Sequence, residues 1–337
     1  LLRIFSDEGL DGNCRIGEYW GRARINFDPI LETIKPLLIG RDITDREWLW
    51  GQMQHLHARI KLIDQNWAPV DIALWDLAGK AVGQPVYQLL GATHESVPAY
   101  ATYPARFDNP EDFAAEAREI VDAGFKAYKL HPGTLETKTA IATIHAVREA
   151  VGDDITLMCD PNCGYDYHKA LAVGLALDDA DYYWFEDPVR VHDIDAITEL
   201  SRRLRTPLCM CDQSTRQFFD AARLIRCQAL RMVRGTAYKL GITGLYKLSV
   251  LAEAFGMRCE VGTAGNETYN AANLHAILAM HNCSFYEFIL PTTLDRFGLV
   301  EHLEIDAAGN MQAPTGPGLG VQLDWDWLNH HTTATLE

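Results

Sequence analysis

The chain has 337 residues, of which 48% are apolar, enough for a barrel core and a smaller domain. Its formal charge of −16 comes from 30 basic and 46 acidic residues, and no segment is rich in lysine or arginine, which argues against nucleic acid and anionic membranes as partners. No apolar run is long enough to span a membrane, and no signal peptide is visible. Four of the eight cysteines lie in apolar strand-like runs, as small core residues do, so we expect a reducing cytoplasm.

Residues 1–95 differ in pattern from the rest and predict a small α+β domain. Leu1 to Phe5 reads as a strand, followed by a turn and a second strand, and the start inside a strand leads us to expect missing N-terminal sequence. Apolar periodicity then predicts three helices and one short final turn, over residues 30–38, 45–60, 68–81 and 86–91.

From residue 96 onward, short apolar runs alternate with helical patterns such as 112–123, 137–151, 193–204 and 217–227. The predicted strands are 97–102, 125–130, 155–160, 183–186, 208–211, 230–233, 257–261 and 284–287. Eight strands with intervening helices indicate a closed parallel barrel more readily than an open sheet. We therefore expect an α/β fold with three parts: an α+β capping domain over 1–95, a modified TIM (β/α)7β barrel over 96–315, and a tail over 316–337 that returns to the capping domain.

Three acids, Asp160, Glu186 and Asp212, are evenly spaced along the barrel region, about one strand-plus-helix unit apart. Each follows an apolar run, which places it at the C-terminal end of a strand. Carboxylates that converge there repel one another unless a cation neutralises them, and oxygen ligands favour a hard divalent ion such as Mg²⁺. The alternative for each acid alone is a solvated loop residue or a helix N-cap.

Several short segments in this order resemble the mandelate racemase/muconate lactonizing enzyme family of the enolase superfamily. They are the Asp-Glu-Gly-Leu hairpin at 7–10, the segments 75–80 and 124–129, Asp160-Pro161-Asn162, the segment 184–188 and the turn 241–244. The resemblance covers nearly the whole chain. It implies that Asp160, Glu186 and Asp212 bind Mg²⁺, with Mn²⁺ as an alternative. Asp187 follows an inward-pointing strand residue and therefore points elsewhere, so we expect it to be a supporting acid. The resemblance also implies a homo-oligomer and a small-molecule carboxylate substrate.

The resemblance implies removal of a proton α to a carboxylate through an enediolate, with Lys129 facing the substrate. A cation and a closed pocket disfavour the ammonium form, so a lowered pKa is expected for Lys129, unless it pairs with a metal-binding acid. Where relatives carry Lys-x-Lys, this chain has Lys129-Leu130-His131, and strand alternation puts Lys129 and His131 on one side. We expect His131 to be the base, or else to cap the following loop.

The Asp-His pair that many relatives carry after the sixth and seventh strands is missing. Gly235 or Thr236 replaces the Asp, and Gly262 replaces the His. Lys239 follows a few residues later, and we interpret it as the start of a helix. Arg234 is expected to bind a substrate group or to form an ion pair.

Glu287 resembles the acid that donates a hydrogen bond to the substrate carboxylate in relatives, which requires it to stay protonated. Its alternative is a structural carboxylate. For substrate contacts, Asn162 and Tyr19 join Arg234 as candidates.

Because the Asp-His pair is missing, no base is available on the face of the substrate opposite His131. We therefore expect a Mg²⁺-dependent lyase that dehydrates a sugar acid or another hydroxy acid. Racemisation usually needs two proton-transfer groups, one on each face of the substrate. An isomerase (racemase, epimerase or lactone cycloisomerase) therefore requires an unrecognised second group and is the first alternative. A non-catalytic metal-binding relative is the second.

Overall fold

A computed structural model describes residues 1–17, 26–62, 64–263, 267–292 and 297–336 of the chain. None of the helices in these ranges is long and apolar enough to cross a bilayer. In chain order, the elements fall into a first region up to residue 90, a barrel, and a returning tail.

The first region consists of an antiparallel hairpin and a small group of helices. The hairpin pairs β1 (Leu2–Phe5) with β2 (Asp11–Cys14). A π-helical segment, Pro29–Ile34, continues into the short α1, where a single helix is predicted. The helices are α1 (Lys35–Leu38), α2 (Arg46–Ile60), α3 (Asp64–Val82) and α4 (Val86–Leu90). Their shared core includes Leu49, Met53, Trp67 and Leu74.

The barrel has eight parallel strands, which hydrogen-bond in the order β10-β3-β4-β5-β6-β7-β8-β9, nearly closing the ring. Counting from β3 as the first, they are β3 (Ser96–Thr102), β4 (Ala127–Leu130), β5 (Thr156–Cys159), β6 (Trp184–Glu186), β7 (Leu208–Met210), β8 (Met232–Gly235), β9 (Arg258–Val261) and β10 (Tyr286–Ile289). All eight overlap the predicted strands, so the predicted α/β barrel is confirmed.

Seven helices connect the barrel strands in the described part of the chain. They are α5 (Pro110–Asp122), α6 (Thr137–Val151), α7 (Tyr167–Asp179), α8 (Ile194–Arg203), α9 (Gln217–Arg226), α10 (Ala237–Ala254) and α11 (Thr268–Leu278). Several begin at a side-chain cap: Asn109, Asp166 and Asp193 each accept a hydrogen bond from the backbone N–H three residues on. Lys239 does lie in the first turn of a helix, as predicted.

The tail contacts the first region. After β11 (Asn310–Gln312), which pairs antiparallel with β3, the chain reaches Gly318, whose carbonyl accepts a hydrogen bond from Val86 N. Leu319 N donates to Asp76 Oδ1 at 2.8 Å. A short helix, α12 (Trp325–His331), follows. The domain boundaries at residues 95 and 315 stay predictions.

Candidate active site

A cavity of about 610 Å³ opens at the C-terminal ends of the barrel strands, where active sites of such barrels lie. Eight acidic, basic or imidazole side chains line it: Lys129, His131, Asp160, Glu186, Asp212, Arg234, Lys239 and Glu287. All the described residues that the sequence singles out as site candidates are therefore in one place. Tyr19, together with the neighbouring Glu18, Trp20, Arg22 and Arg24, lies outside the described residues.

Strand alternation explains why these side chains meet. The barrel interior holds an apolar layer of Tyr100, Ala127, Met158, Trp184, Cys209 and Met232. Two residues further along most strands, the next inward position belongs to a polar layer: Thr102, Lys129, Asp160, Glu186 and Arg234. At the end of β7 the positive φ of Cys211 (94°) interrupts this alternation, and Asp212 lines the cavity instead.

The floor of the cavity is a closed ring of four ion pairs. Lys129 Nζ lies 3.0 Å from Glu186 Oε2 and 2.8 Å from Glu287 Oε1. Arg234 closes the ring from the other side, with Nε 2.9 Å from Glu186 Oε1 and Nη2 2.6 Å from Glu287 Oε2. Arg234 Nη2 also donates to Tyr100 Oη, and Trp184 Nε1 donates to Glu186 Oε2. Each carboxylate of the ring is thus held by two cations.

The charges of this ring correct two expectations about protonation. Burial and Arg234 lower the pKa of Lys129, but Glu186 and Glu287 raise it by more, so the pKa of Lys129 lies well above its usual value. Burial raises the pKa of Glu287, but Lys129 and Arg234 outweigh it and hold that pKa at about 2. With these neighbours Lys129 stays a cation and Glu287 an anion, where a lowered lysine pKa and a protonated acid were expected.

His131 directly follows β4 and faces Asp160, the first of the three predicted acids. Its Nε2 lies 3.2 Å from Asp160 Oδ2, and its Nδ1 lies 3.2 Å from Thr102 Oγ1. The other Asp160 oxygen accepts a hydrogen bond from Asn162 N at 2.7 Å. The imidazole is therefore held between two strands and directed into the cavity, which keeps it available for proton transfer.

Asp212 is the most exposed of the three acids, with a side chain 20% exposed. Asp187 supports the loop that carries it, because Asp187 Oδ1 accepts from Cys211 N at 2.9 Å and Oδ2 accepts from Gln213 N at 2.7 Å. These two bonds fix the backbone on both sides of Asp212. The geometry agrees with the expectation that Asp187 is a supporting acid.

The wall opposite His131 carries no base at the two positions where relatives have one. Thr236 lines the cavity, whereas a Cβ added to Gly235 would point outward and meet Leu245 and Leu248. Gly262 does face inward, since a Cβ there would lie 3.0 Å from Asp212 Oδ1 and 3.5 Å from Arg234 Nε. A side chain at 262 would thus meet the Asp212 carboxylate first and then the Arg234 guanidinium.

Lys239 lines the same cavity wall. The sequence pattern predicted Lys239 at the start of a helix and gave it no part in the site. Its Nζ donates to the carbonyl of Asp212 and lies 3.8 Å from Asp212 Oδ1. Thr102 and Gln213 are further cavity residues that the sequence pattern missed. Thr102 follows from strand alternation, being two residues after the inward Tyr100, but no sequence signal identifies Lys239 or Gln213.

The oxygen donors suit a hard divalent cation in type. Asp160, Glu186 and Asp212 stand at the ends of three adjacent parallel strands. The buried Glu186 Oε1 accepts no aligned hydrogen bond, although Arg234 Nε is close, so it has a lone pair directed to no donor. Within the described residues, however, no group of three His, Cys, Asp or Glu side chains is arranged closely enough to hold a metal ion. Glu186 is engaged by Lys129 and Arg234 instead.

Comparison with known proteins places the whole chain among relatives of one kind. The Enolase C-terminal domain-like family matches residues 112–327, and the mandelate racemase/muconate lactonizing enzyme N-terminal domain matches residues 1–91. A D-glucarate dehydratase from Agrobacterium tumefaciens, crystallised with magnesium, superposes with a TM-score of 0.88 at 32% identity, covering 97% of this chain and 88% of that one.

Two characterised relatives catalyse different types of reaction. The N-succinyl-L-Arg/Lys racemase of Bacillus cereus is 29% identical, covering 98% of this chain and 89% of its own. The arabinonate dehydratase of Saccharolobus solfataricus is 28% identical, covering 87% of this chain and 80% of its own. One is an isomerase and the other a lyase, so the similarity leaves open which reaction this chain catalyses.

Proposed function

The chain belongs to the mandelate racemase/muconate lactonizing enzyme family of the enolase superfamily, and from that membership we propose that it is a Mg²⁺-dependent lyase that dehydrates a sugar acid or another hydroxy acid. The proposal assigns the metal ligands to Asp160, Glu186 and Asp212. When bound, the ion acts as a Lewis acid on the substrate carboxylate and makes the α-proton acidic enough to remove.

The observation that supports elimination most directly is the asymmetry of the cavity walls. His131 and Lys129 stand on one side, while Thr236 and Gly262 occupy the positions of the second base in relatives. His131 takes the α-proton and, as the imidazolium, returns it to the departing β-hydroxyl, which leaves as water. The contacts of its two ring nitrogens with Asp160 and Thr102 hold the imidazole at the cavity. Lys129, held as a cation, balances the charge that develops on the carboxylate.

Glu287 enters the proposal as the residue that orients Lys129 rather than as a hydrogen-bond donor, because Lys129 and Arg234 keep it ionised. Asn162 lines the cavity beside Asp160 and is proposed to bind a substrate hydroxyl. Arg234 is ion-paired at the floor and 0% exposed. A substrate contact by Arg234 or Tyr19 stays a prediction.

The alternative is an isomerase, and one observation favours it. Lys239 lines the cavity after β8, the sixth strand, and the sixth strand stands opposite the second in an eight-stranded barrel. A proton donor there would supply the second face of the substrate. A non-catalytic metal-binding protein is the remaining alternative.

The test is incubation with a panel of aldonic and aldaric acids in D₂O with Mg²⁺, followed by ¹H NMR and a keto-acid assay. The proposed lyase forms a 2-keto acid from at least one acid, and chelation of the metal stops the reaction. Deuterated epimer without keto acid would instead identify an isomerase. No exchange and no product with any of these acids would contradict the proposed lyase.

A further inference from the structure

Arg234 is a fixed positive charge in contact with one of the three proposed metal ligands. It is fully buried, and its guanidinium bridges Glu186 and Glu287. Arginine stays protonated at any pH at which the protein is folded. Any cation that binds Glu186 must therefore do so beside a charge that cannot be removed by losing a proton.

Gly262, which follows β9, lies beside both Arg234 and Asp212. A Cβ at this position would lie 3.0 Å from Asp212 Oδ1, 3.5 Å from Arg234 Nε and 3.7 Å from Arg234 Nη2. A larger side chain there, such as the histidine of relatives, would crowd both residues. The glycine therefore leaves room for the guanidinium from β8 and the Asp212 carboxylate side by side.

The charges that line the cavity indicate what this cation does to a bound metal. Among the described residues, four carboxylates face three fixed cations, namely Lys129, Arg234 and Lys239. They leave one negative charge, His131 not being counted. Binding of a divalent ion changes this net charge from minus one to plus one, and binding of one substrate carboxylate then makes it zero. A net charge is unfavourable in a site with buried, low-dielectric walls.

We propose that Arg234 weakens Mg²⁺ binding to the free protein and so makes the binding of Mg²⁺ and of the substrate carboxylate mutually dependent. The inference rests on the metal site of the proposed function. It adds that the metal binds tightly only together with a carboxylate, and that the reciprocal effect on the carboxylate is of equal size.

The test is titration with Mg²⁺ by isothermal calorimetry, without and with saturating glycolate, the 2-hydroxy carboxylate unit that the candidate acids share. Intrinsic tryptophan fluorescence gives a second readout, because the indole of Trp184 donates to Glu186. In the wild-type protein, glycolate should tighten Mg²⁺ binding about tenfold. In Arg234→Gln, Mg²⁺ alone should bind roughly tenfold more tightly, and glycolate should add little.

Two further variants test whether the effect on Mg²⁺ affinity comes from the charge of Arg234, from the shape of its side chain or from its location. Arg234→Lys keeps the charge and should bind Mg²⁺ weakly, as the wild type does. Arg223→Gln removes a half-exposed arginine that pairs with Asp220 on α9 and should change nothing. A gain of affinity confined to Arg234→Gln cannot result from misfolding, which only lowers affinity.

A folded Arg234→Gln protein with unchanged or weaker Mg²⁺ affinity would overturn the inference. If that variant does not fold, the wild-type titration decides, because equal Mg²⁺ affinity with and without glycolate also overturns it. The titrations need no turnover, so a protein that dehydrates no acid but shows this pattern refutes the proposed reaction alone. Asp160→Asn and Asp212→Asn variants that bind Mg²⁺ normally would refute the metal site itself.

Discussion

His131 is the residue on which the proposed proton transfer depends. Replacing it with Asn keeps a polar side chain near Asp160 and Thr102 but removes the group that accepts the α-proton. We expect His131→Asn to lower α-proton exchange with D₂O by roughly 10²- to 10⁴-fold, the usual contribution of a positioned base. The measurement is ¹H NMR of the substrate α-position in D₂O with Mg²⁺.

The exposed His94 provides the matched control, since His94→Asn changes the same residue type outside the cavity. It should exchange at the wild-type rate. Exchange at an unchanged rate in His131→Asn would remove this residue from the mechanism and direct attention to Lys129.

Asp187 acts through its neighbours, because its carboxylate holds the backbone on both sides of Asp212. In Asp187→Ala both N–H groups lose their acceptor and the Asp212 carboxylate loses its fixed position. Mg²⁺ binding should weaken about 10- to 100-fold, as is common when a residue that orients a metal ligand is removed. Calorimetric titration measures this, and Asp179→Ala, at an exposed site on α7, should leave it unchanged.

At this scale the sequence identifies which side chains face the cavity better than it identifies their charge states. Alternation along a strand places Lys129, Asp160 and Glu186 correctly, because it needs only local geometry. The ring that Arg234 closes joins residues on β4, β6, β8 and β10, and no single segment contains it. The protonation of Glu287 depends on that ring and was therefore predicted wrongly.

The helix α3 connects three separate parts of the chain through one buried carboxylate. Asp76 Oδ2 accepts from Asn13 N of β2 at 2.9 Å and from Lys80 Nζ at 2.6 Å, and Oδ1 accepts from Leu319 N. In Asp76→Ala these donors lose their acceptor, which should lower the free energy of unfolding by about 3 kcal/mol. Urea unfolding checks this value.

The control for Asp76 is an ion pair at the surface. Glu47 pairs with Lys247 at 2.8 Å, but its side chain is 71% exposed. Glu47→Gln should therefore change the free energy of unfolding by less than about 1 kcal/mol. Equal effects of the two substitutions would show that Asp76 does not hold these segments together.

The contact between α4 and α11 should make stability depend on pH. His275 Nδ1 accepts a hydrogen bond from Tyr87 N at 3.1 Å, and burial lowers the pKa of His275 from 6.5 to about 4. The unfolded chain therefore binds this proton more readily than the folded one. The resulting stability is present above pH 6.5 and is lost as the pH falls toward 4, by up to about 3 kcal/mol.

His275→Gln keeps an acceptor for Tyr87 N but cannot be protonated in this range. Its free energy of unfolding should fall less steeply than that of the wild type between pH 6.5 and 4, measured by urea unfolding at several pH values. His94→Asn, at an exposed position, should follow the wild-type curve. Parallel curves for His275→Gln and the wild type would contradict the assignment.

For the whole molecule, the βα rhythm was sufficient to predict the barrel, because each strand and helix has its own periodicity. Strand β11 was not predicted, since three residues pairing with the start of β3 leave no local pattern. The single helix expected over residues 30–38 is a π-helical segment followed by α1, a change of winding that apolar spacing does not reveal. The loop contacts around the cavity decide the substrate, and neither strand alternation nor helical periodicity predicts them.

The position of Asp76 also has a consequence for synthesis of the chain. Its two backbone partners, Asn13 and Leu319, lie on either side of the barrel sequence. A ribosome-bound nascent chain can form the hairpin and all eight barrel strands before Leu319 emerges. The carboxylate of Asp76 then lacks one donor while the barrel is being made, so α3 acquires its complete set of contacts only after the last barrel strand.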